Sequence, residues 1–360
     1  MKIDTIRLYD YHILLKHKLH IKKEILTDRQ GIIIQLITDQ GDNVYSEVSP
    51  FPHLHQETLA EARRYLIDMK SRLKGIKIPS SQALFSFFGK DEINQPSVRF
   101  GVESAILIAL LQSGADVFSE PFSARHLSAV PVNALVSAAG EDNLQELETV
   151  LKAGYQAIKV KVGRGKPDQE IGFVHEVASL IQDRATLRLD ANRSWELATA
   201  IDFCQALNDL PVEYIEEPLQ NPRLLPLLYK KTGIPLALDE SLSENTPLNF
   251  TTAEWISALV IKPTVLGSLR CTLDWLRLAR QKGVKAVISD TFQSGVGLSF
   301  LIRLAAAAGQ DLPMGFDTYQ WLADDILEQR LTIANGSFIP EDVVVKAVHL
   351  NFSKLEEIIR

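Results

Sequence analysis

The chain has 360 residues, of which 46% are apolar and 23% charged, the balance of a globular protein rather than a disordered or membrane-embedded one. Its formal charge of −7 argues against a nucleic-acid binder, which would need a basic face, so a small molecule is the expected partner. Cys204 and Cys271 are the only cysteines, which leaves no disulfide framework and no zinc spacing. With no signal-peptide pattern and no apolar run of about 18 residues, the expectation is a cytoplasmic protein that stays out of membranes. Its oligomeric state is left open.

In chain order, strand-like runs come first, at residues 3–9, 31–38 and 43–48, followed by a helix starting near Glu57. Ala62, Leu66, Met69 and Leu73 recur at four- and three-residue steps along that helix, which puts them on one buried stripe. Residues 1 to about 100 thus read as an α+β module. From Val130 onwards, short apolar runs alternate with longer helix-period segments, the pattern of repeated βα units around a parallel sheet. Strands are expected at 132–137, 157–162, 186–190, 213–216, 236–239, 258–262, 285–289 and 315–317. Eight such runs suggest a closed barrel. Gly154, Gly233, Gly283 and Gly309 stand just past helical segments, and Pro167 and Ser194 just before them.

Three acids end consecutive expected strands: Asp190 in Leu189-Asp190-Ala191-Asn192, Glu216 in Ile215-Glu216-Glu217-Pro218, and Asp239 in Leu238-Asp239-Glu240-Ser241. In a barrel such ends converge at the mouth. Read singly, each is better explained as a helix N-cap or a solvated loop charge. Together they would repel one another unless a cation lay between them, and hard oxygen ligands favour Mg²⁺, with Mn²⁺ as a substitute, over zinc. Within the run Lys159-Val160-Lys161-Val162, period-two alternation puts both lysines on one face and both valines on the other. If the valines meet the outer helices, both ammonium groups enter the barrel, where burial without a purpose would cost several kcal/mol. The alternative is a solvated edge strand. Lys262, before Pro263, ends the sixth strand, across the barrel from the second.

Other candidates carry less. Gly163-Arg164-Gly165-Lys166 lacks the spacing of a phosphate loop. His53 and His55 read as solvated loop residues or lid contacts. Neither a nucleophile elbow nor a dinucleotide fingerprint is present.

The ordered set Lys159-Val160-Lys161, Asp190-Ala191-Asn192, Glu216-Glu217-Pro218, Asp239-Glu240-Ser241 and Lys262-Pro263 resembles the enolase superfamily, muconate-lactonizing-enzyme subgroup. The longer strings Leu187-Arg188-Leu189-Asp190-Ala191-Asn192-Arg193-Ser194-Trp195, Val260-Ile261-Lys262-Pro263-Thr264 and Ala286-Val287-Ile288-Ser289 are similar to those of its o-succinylbenzoate synthase family, as is Glu47-Val48-Ser49-Pro50-Phe51-Pro52. That resemblance implies an α/β fold, a (β/α)7β TIM-type barrel over residues 101–319. A capping domain would span 1–100, with residues 320–360 returning to it. It makes Asp190, Glu216 and Asp239 the Mg²⁺ ligands, Lys161 the general base, Lys262 the lysine on the opposite substrate face and Lys159 a supporting lysine. Asn192 would stand behind the ligands, and Ser289 and Gly315 would hold the substrate. Gln293 occupies a place near Lys262 where some relatives carry Glu. The cationic run from Lys16 to Lys23 falls where relatives carry a lid, where it would attract a dianionic substrate; the alternative is a solvated basic loop.

The implied activity is a Mg²⁺-dependent syn dehydration of a cyclohexadiene carboxylate in menaquinone biosynthesis. The alternatives on the same scaffold are an N-succinylamino-acid racemase, a dipeptide epimerase or a cycloisomerase. Outside that class stands a ligand-binding barrel without catalysis.

Overall fold

The computed structural model describes residues 1–21, 24–79, 93–115, 117, 126–137, 143–247, 250, 253–340 and 349–359. At the N-terminus β1 (Ile3–Ile21) and β2 (Glu24–Thr38) form a long antiparallel hairpin, and β3 (Asn43–Val48) adds to β2. The hairpin extends well beyond the expected strands, because residues 10–21 continue to alternate Tyr, Ile and Leu with polar side chains, the period of a strand with one covered face. Lys16 to Ile21 therefore lie in β1, with Lys16, His17, Lys18 and His20 exposed. Lys22 and Lys23 of that run fall outside the described residues.

Helix α1 (Leu59–Leu73) opens with a capping box between Thr58 and Glu61 and buries Ala62, Leu66, Met69 and Leu73. Helix α2 (Pro96–Gln112) is apolar nearly all round and, apart from Arg99, buried from Ser97 to Leu110, since cap strands cover one side and barrel helices the other. It runs unbroken through position 100, where the sequence changes texture from cap to barrel.

Seven parallel strands follow: β4 (Ala134–Ser137), β5 (Ala157–Lys161), β6 (Thr186–Asp190), β7 (Val212–Glu216), β8 (Leu236–Leu238), β9 (Ile256–Ile261) and β10 (Lys285–Ile288). They lie side by side in chain order as one curled sheet. Between them run α3 (Asn143–Lys152), α4 (Pro167–Ile181), α5 (Leu197–Ala206), α6 (Leu225–Thr232), α7 (Glu240–Ser243), α8 (Pro263–Leu266), α9 (Leu269–Lys282) and α10 (Gly295–Ala308). Pro167 occupies the first turn of α4, and Gly233, Gly283 and Gly309 close α6, α9 and α10 in the left-handed conformation.

The expected eighth strand at 315–317 is not a ladder. A single parallel bridge joins Met314 to Val132 and another joins Gly315 to Ser289, so two residues close the sheet edge to edge before a 3₁₀ turn starts at Asp317. Finally β11 (Leu355–Glu357) pairs antiparallel with β1, bringing the C-terminal segment onto the cap sheet. Cys204 and Cys271 lie in α5 and α9 as free thiols.

Candidate active site

Strand register decides which side chains enter the barrel. Lys159 pairs with Arg188 and Lys161 with Asp190, while Arg188 pairs with Tyr214 and Asp190 with Glu216. Alternation then directs Lys159, Lys161, Asp190 and Glu216 inward. Val160 and Val162, 0% and 1% exposed, pack outward. Both lysines point into the barrel, and the solvated-edge alternative is excluded.

Once inside, the charges form a chain along the strand ends. Lys159 Nζ lies 2.8 Å from Asp190 Oδ2 and 2.7 Å from Glu216 Oε2. Lys161 Nζ donates to Asp190 Oδ2 at 2.5 Å and to Asn192 Oδ1 at 2.8 Å. Lys262 Nζ donates to Asp239 Oδ2. Asn192 also gives its backbone N–H to Asp190 Oδ1 at 3.1 Å and its amide to Glu240 Oε1 at 3.3 Å.

With side-chain exposures of only 12% for Lys159 and 19% for Lys161, the two lysines are desolvated, yet they diverge. Burial pulls both down, but the two carboxylates flanking Lys159 outweigh it and hold that ammonium well above the ordinary lysine range. For Lys161 burial prevails over Asp190, and the neighbouring Lys159 charge adds to it, so its pKa falls. Lys262 is raised, because Asp239 and Glu240 overcome its burial.

Among the described residues, no three Asp, Glu, His or Cys side chains are gathered so that they could hold an ion as they stand. The acids are held apart on lysine ammonium groups instead. Their chemistry nevertheless fits a hard divalent cation. All three offer oxygen only, from consecutive strand ends, and Glu216 Oε1 is buried without a partner. Burial, then the charges of Asp190 and Asp239, push the Glu216 carboxyl well above the carboxylate range, so negative potential at this point is under-compensated.

Sequence reasoning did not find what shapes the mouth. Asn192, Arg193 and Glu217 hold φ values of 43°, 56° and 40°, sparsely populated for residues with a side chain, and they sit just past β6 and β7. Glu217, next to inward-facing Glu216, instead accepts from the N–H groups of Asp239 and Ser241 at 3.1 and 2.8 Å and from Arg193 Nε at 3.0 Å. Glu240 is pushed up to about 7, first by burial and then by Asp239. The doublets Glu216-Glu217 and Asp239-Glu240 were the signal: one acid faces the barrel and its neighbour supports the rim.

Ser289 and Gly315 meet at the barrel closure, where Ser289 Oγ donates to the Gly315 carbonyl at 3.1 Å. Val287, two residues earlier, belongs to the barrel-interior cluster, so Ser289 faces the same interior. Gln293 packs against the start of α10 beside Gly297, while the ammonium of Lys262 goes to Asp239. His53 does pair with Glu24 of the cap hairpin, at 3.3 Å. His55 departs from the solvated reading: its Nδ1 accepts from the Phe51 N–H at 2.9 Å, and burial pushes it down to about 4. In the Gly163 to Lys166 segment the N–H groups of Gly163, Arg164 and Gly165 all converge at 2.8 Å on the Glu170 carboxylate, which fills the loop from within.

Comparison with known proteins gives this geometry its family. The model for the "MenC, N-terminal domain" matches residues 3–109, and that for the "Enolase C-terminal domain-like" family matches residues 142–343. An o-succinylbenzoate synthase of Aliivibrio fischeri (strain MJ11) is 31% identical over 326 residues, covering 87% of this chain and 90% of that protein. The chain belongs to the o-succinylbenzoate synthase family of the enolase superfamily. Another o-succinylbenzoate synthase, from Yersinia enterocolitica serotype O:8, is 29% identical over 331 residues, covering 89% of this chain and 92% of its own. Among solved structures, a muconate lactonizing enzyme from Pseudomonas fluorescens superposes over 98% of both chains with a TM-score of 0.84 at 18% identity. The L-Ala-D/L-Glu epimerase from Bacillus subtilis does so over 94% of this chain and 96% of its own, with a TM-score of 0.80 at 19% identity. These two establish the TIM-type fold of the o-succinylbenzoate synthase family member described here, with its antiparallel cap sheet.

Proposed function

We infer that the protein is a carbon–oxygen lyase that dehydrates 2-succinyl-6-hydroxy-2,4-cyclohexadiene-1-carboxylate to 2-succinylbenzoate, a step of menaquinone biosynthesis. The observation that carries the residue roles is the chain of contacts Lys161–Asp190–Lys159–Glu216 on three successive strand ends, with Lys262–Asp239 further round the barrel. A proton beside a carboxylate is weakly acidic, because its removal puts a second negative charge on the same group. Asp190, Glu216 and Asp239 would hold Mg²⁺, or Mn²⁺ in its place, and a bound divalent cation supplies electrostatic stabilisation to the substrate carboxylate.

Lys161, whose pKa is lowered, takes the proton from the α-carbon. The electrons of the broken C–H bond move onto the substrate carboxylate, and their return forms the new ring double bond as the C–O bond breaks, while the proton now on Lys161 passes to the departing hydroxyl to give water. Since one lysine serves both transfers, the elimination is syn. Lys262 stays charged on the opposite face and stabilises the developing anion. Lys159 keeps its charge between Asp190 and Glu216 and so favours the neutral form of Lys161. Asn192 orients Lys161, and Ser289 and Gly315 hold the succinyl arm. No helix among the described residues is long and apolar enough to cross a membrane, in keeping with a cytoplasmic location.

Lys161→Ala and Lys262→Ala are each expected to lower kcat by at least about 10³-fold while the fold persists. Aromatisation followed by ultraviolet absorbance, alongside α-proton exchange of N-succinyl amino acids by NMR, decides the activity. Exchange that outpaces dehydration would replace the lyase by a racemase, and near-normal turnover in either variant would remove the lysine pair from the mechanism.

A further inference from the structure

A second buried polar cluster lies at the seam between cap and barrel, and the chemistry above makes no use of it. Glu47, near the end of β3, is 3% exposed, yet its carboxylate accepts four hydrogen bonds. Tyr11 Oη donates to Oε1 at 2.6 Å and the Ser294 N–H to the same oxygen at 3.1 Å; Ser294 Oγ and the Gly297 N–H donate to Oε2 at 2.5 and 3.0 Å. Three of the four donors belong to the start of α10. A charge carried by the cap therefore satisfies amide groups of a barrel helix at its positive end.

Arg29 of β2 grips the adjoining turn. Also 3% exposed, it donates Nε to the Phe292 carbonyl at 3.1 Å and a terminal nitrogen to the Ser49 carbonyl at 3.0 Å. Its guanidinium lies 4.9 Å from the centre of the Phe51 ring, which stacks on Phe292 at 5.4 Å. Phe292 itself holds φ at 57°, a conformation that persists only where its surroundings enforce it. Room for the clamp is built in. A Cβ on Gly297 would fall 2.8 Å from Glu47 Oε2, and one on Gly31 would fall 2.6 Å from the Tyr11 hydroxyl.

We propose that Glu47 and Arg29 are positioning residues that lock the turn from Ser289 to Ser294 to the cap, so that the succinyl end of the substrate is gripped in register with the barrel lysines. The proposal rests on the functional reading given above, in which Ser289, the first residue of that turn, and Gly315 hold the succinyl arm. Lys161, Lys262 and the three acids make their contacts elsewhere, so loosening the clamp weakens binding and leaves proton transfer intact.

The test uses the full chain with Mg²⁺ and two variants. Glu47→Gln places an amide N–H among donors, and Tyr11→Phe removes one donor while leaving the carboxylate. Hydrogen exchange of peptides covering 289–297 reads the clamp, and kcat and KM for aromatisation read its effect. Glu47→Gln is expected to speed exchange there, with no change at 157–161, and to raise KM about tenfold or more with kcat within about threefold of wild type. Tyr11→Phe should move both in the same direction by about threefold, and it carries the test if Glu47→Gln does not fold. Unchanged exchange in both variants, or faster exchange with an unchanged KM, overturns the proposal. Lack of aromatisation by the wild-type protein would instead refute the functional reading, while the exchange measurements still decide whether the clamp exists.

Discussion

Lys159 shows how one side chain can serve two neighbours at once. Its ammonium stands between Asp190 and Glu216, which are 1% and 0% exposed, and takes the place of the counter-charge that buried acids require. Removing one partner of such a buried set costs about 3–5 kcal/mol, because the remaining charges are left uncompensated. Lys159→Met is therefore expected to lower the melting temperature sharply in EDTA. Mg²⁺ should restore more of the loss than it adds to wild type, since a ligand that binds only the folded state stabilises it by mass action. Parallel melts with EDTA and with Mg²⁺ check this, and a variant that melts like wild type in EDTA would show that the acids do not depend on that ammonium. The inward direction of both lysines was legible from period two alone. A lowered pKa for Lys161 beside the charge of Lys159 was also to be expected; that Lys159 itself is raised was not, because the two acids that flank it are brought together only by the folded register.

At the scale of elements, buried carboxylates join helix starts to distant segments. Glu103 on α2 accepts from the Leu269 N–H at 2.7 Å and so caps α9, and Asp325 accepts from the Gly295 N–H at 3.0 Å at the start of α10. Glu170 does the same for the loop after β5. Because three amide groups at 2.8 Å depend on it, Glu170→Ala is expected to destabilise the protein by about 1–3 kcal/mol. Urea unfolding measures that loss, and a change within about 0.5 kcal/mol would mean that water replaces the carboxylate without cost. The βα alternation, the stripe on α1 and most barrel strands could be read from apolar periodicity, since each depends on local pattern. The hairpin extension was missed although residues 10–21 keep the period of a strand, because its open face carries polar residues. The eighth strand was expected at 315–317, but its shortness was not legible, since its two residues bridge only where the ends of a curled sheet meet. Of the two readings for His55, the solvated one fails for a similar reason: its loop looks open in sequence, yet its Nε2 is buried.

Across the whole molecule, buried acids set opposing pH slopes. Lys159 and Lys161 hold the Asp190 carboxyl below its ordinary range despite its burial, and the stability this contributes is lost as pH falls. Asp290 behaves oppositely. Burial, reinforced by the charge of Glu47, pushes it up to about 7, although Thr318 Oγ1 and the Gln293 N–H donate to it. A carboxyl whose folded pKa lies above its unfolded value of about 3.9 contributes stability that is complete below that value and disappears as pH rises through the folded one. For Asp290 the window is therefore about pH 4 to 7. Asp317, pushed up to about 6 mainly by burial, shares the direction, and it remains in both proteins when only Asp290 is changed. Asn at position 290 keeps an acceptor for the Gln293 N–H and turns its amide toward Thr318, without the charge. Relative to wild type, Asp290→Asn is thus expected to gain roughly 3 kcal/mol of stability between about pH 4 and 7 and to level off above. Denaturant unfolding of both proteins at several pH values gives this difference directly. A difference that stays flat across the window would mean that Asp290 is ionised in the folded protein throughout, with its charge compensated at the cap–barrel seam, where it acts on the buried Arg29.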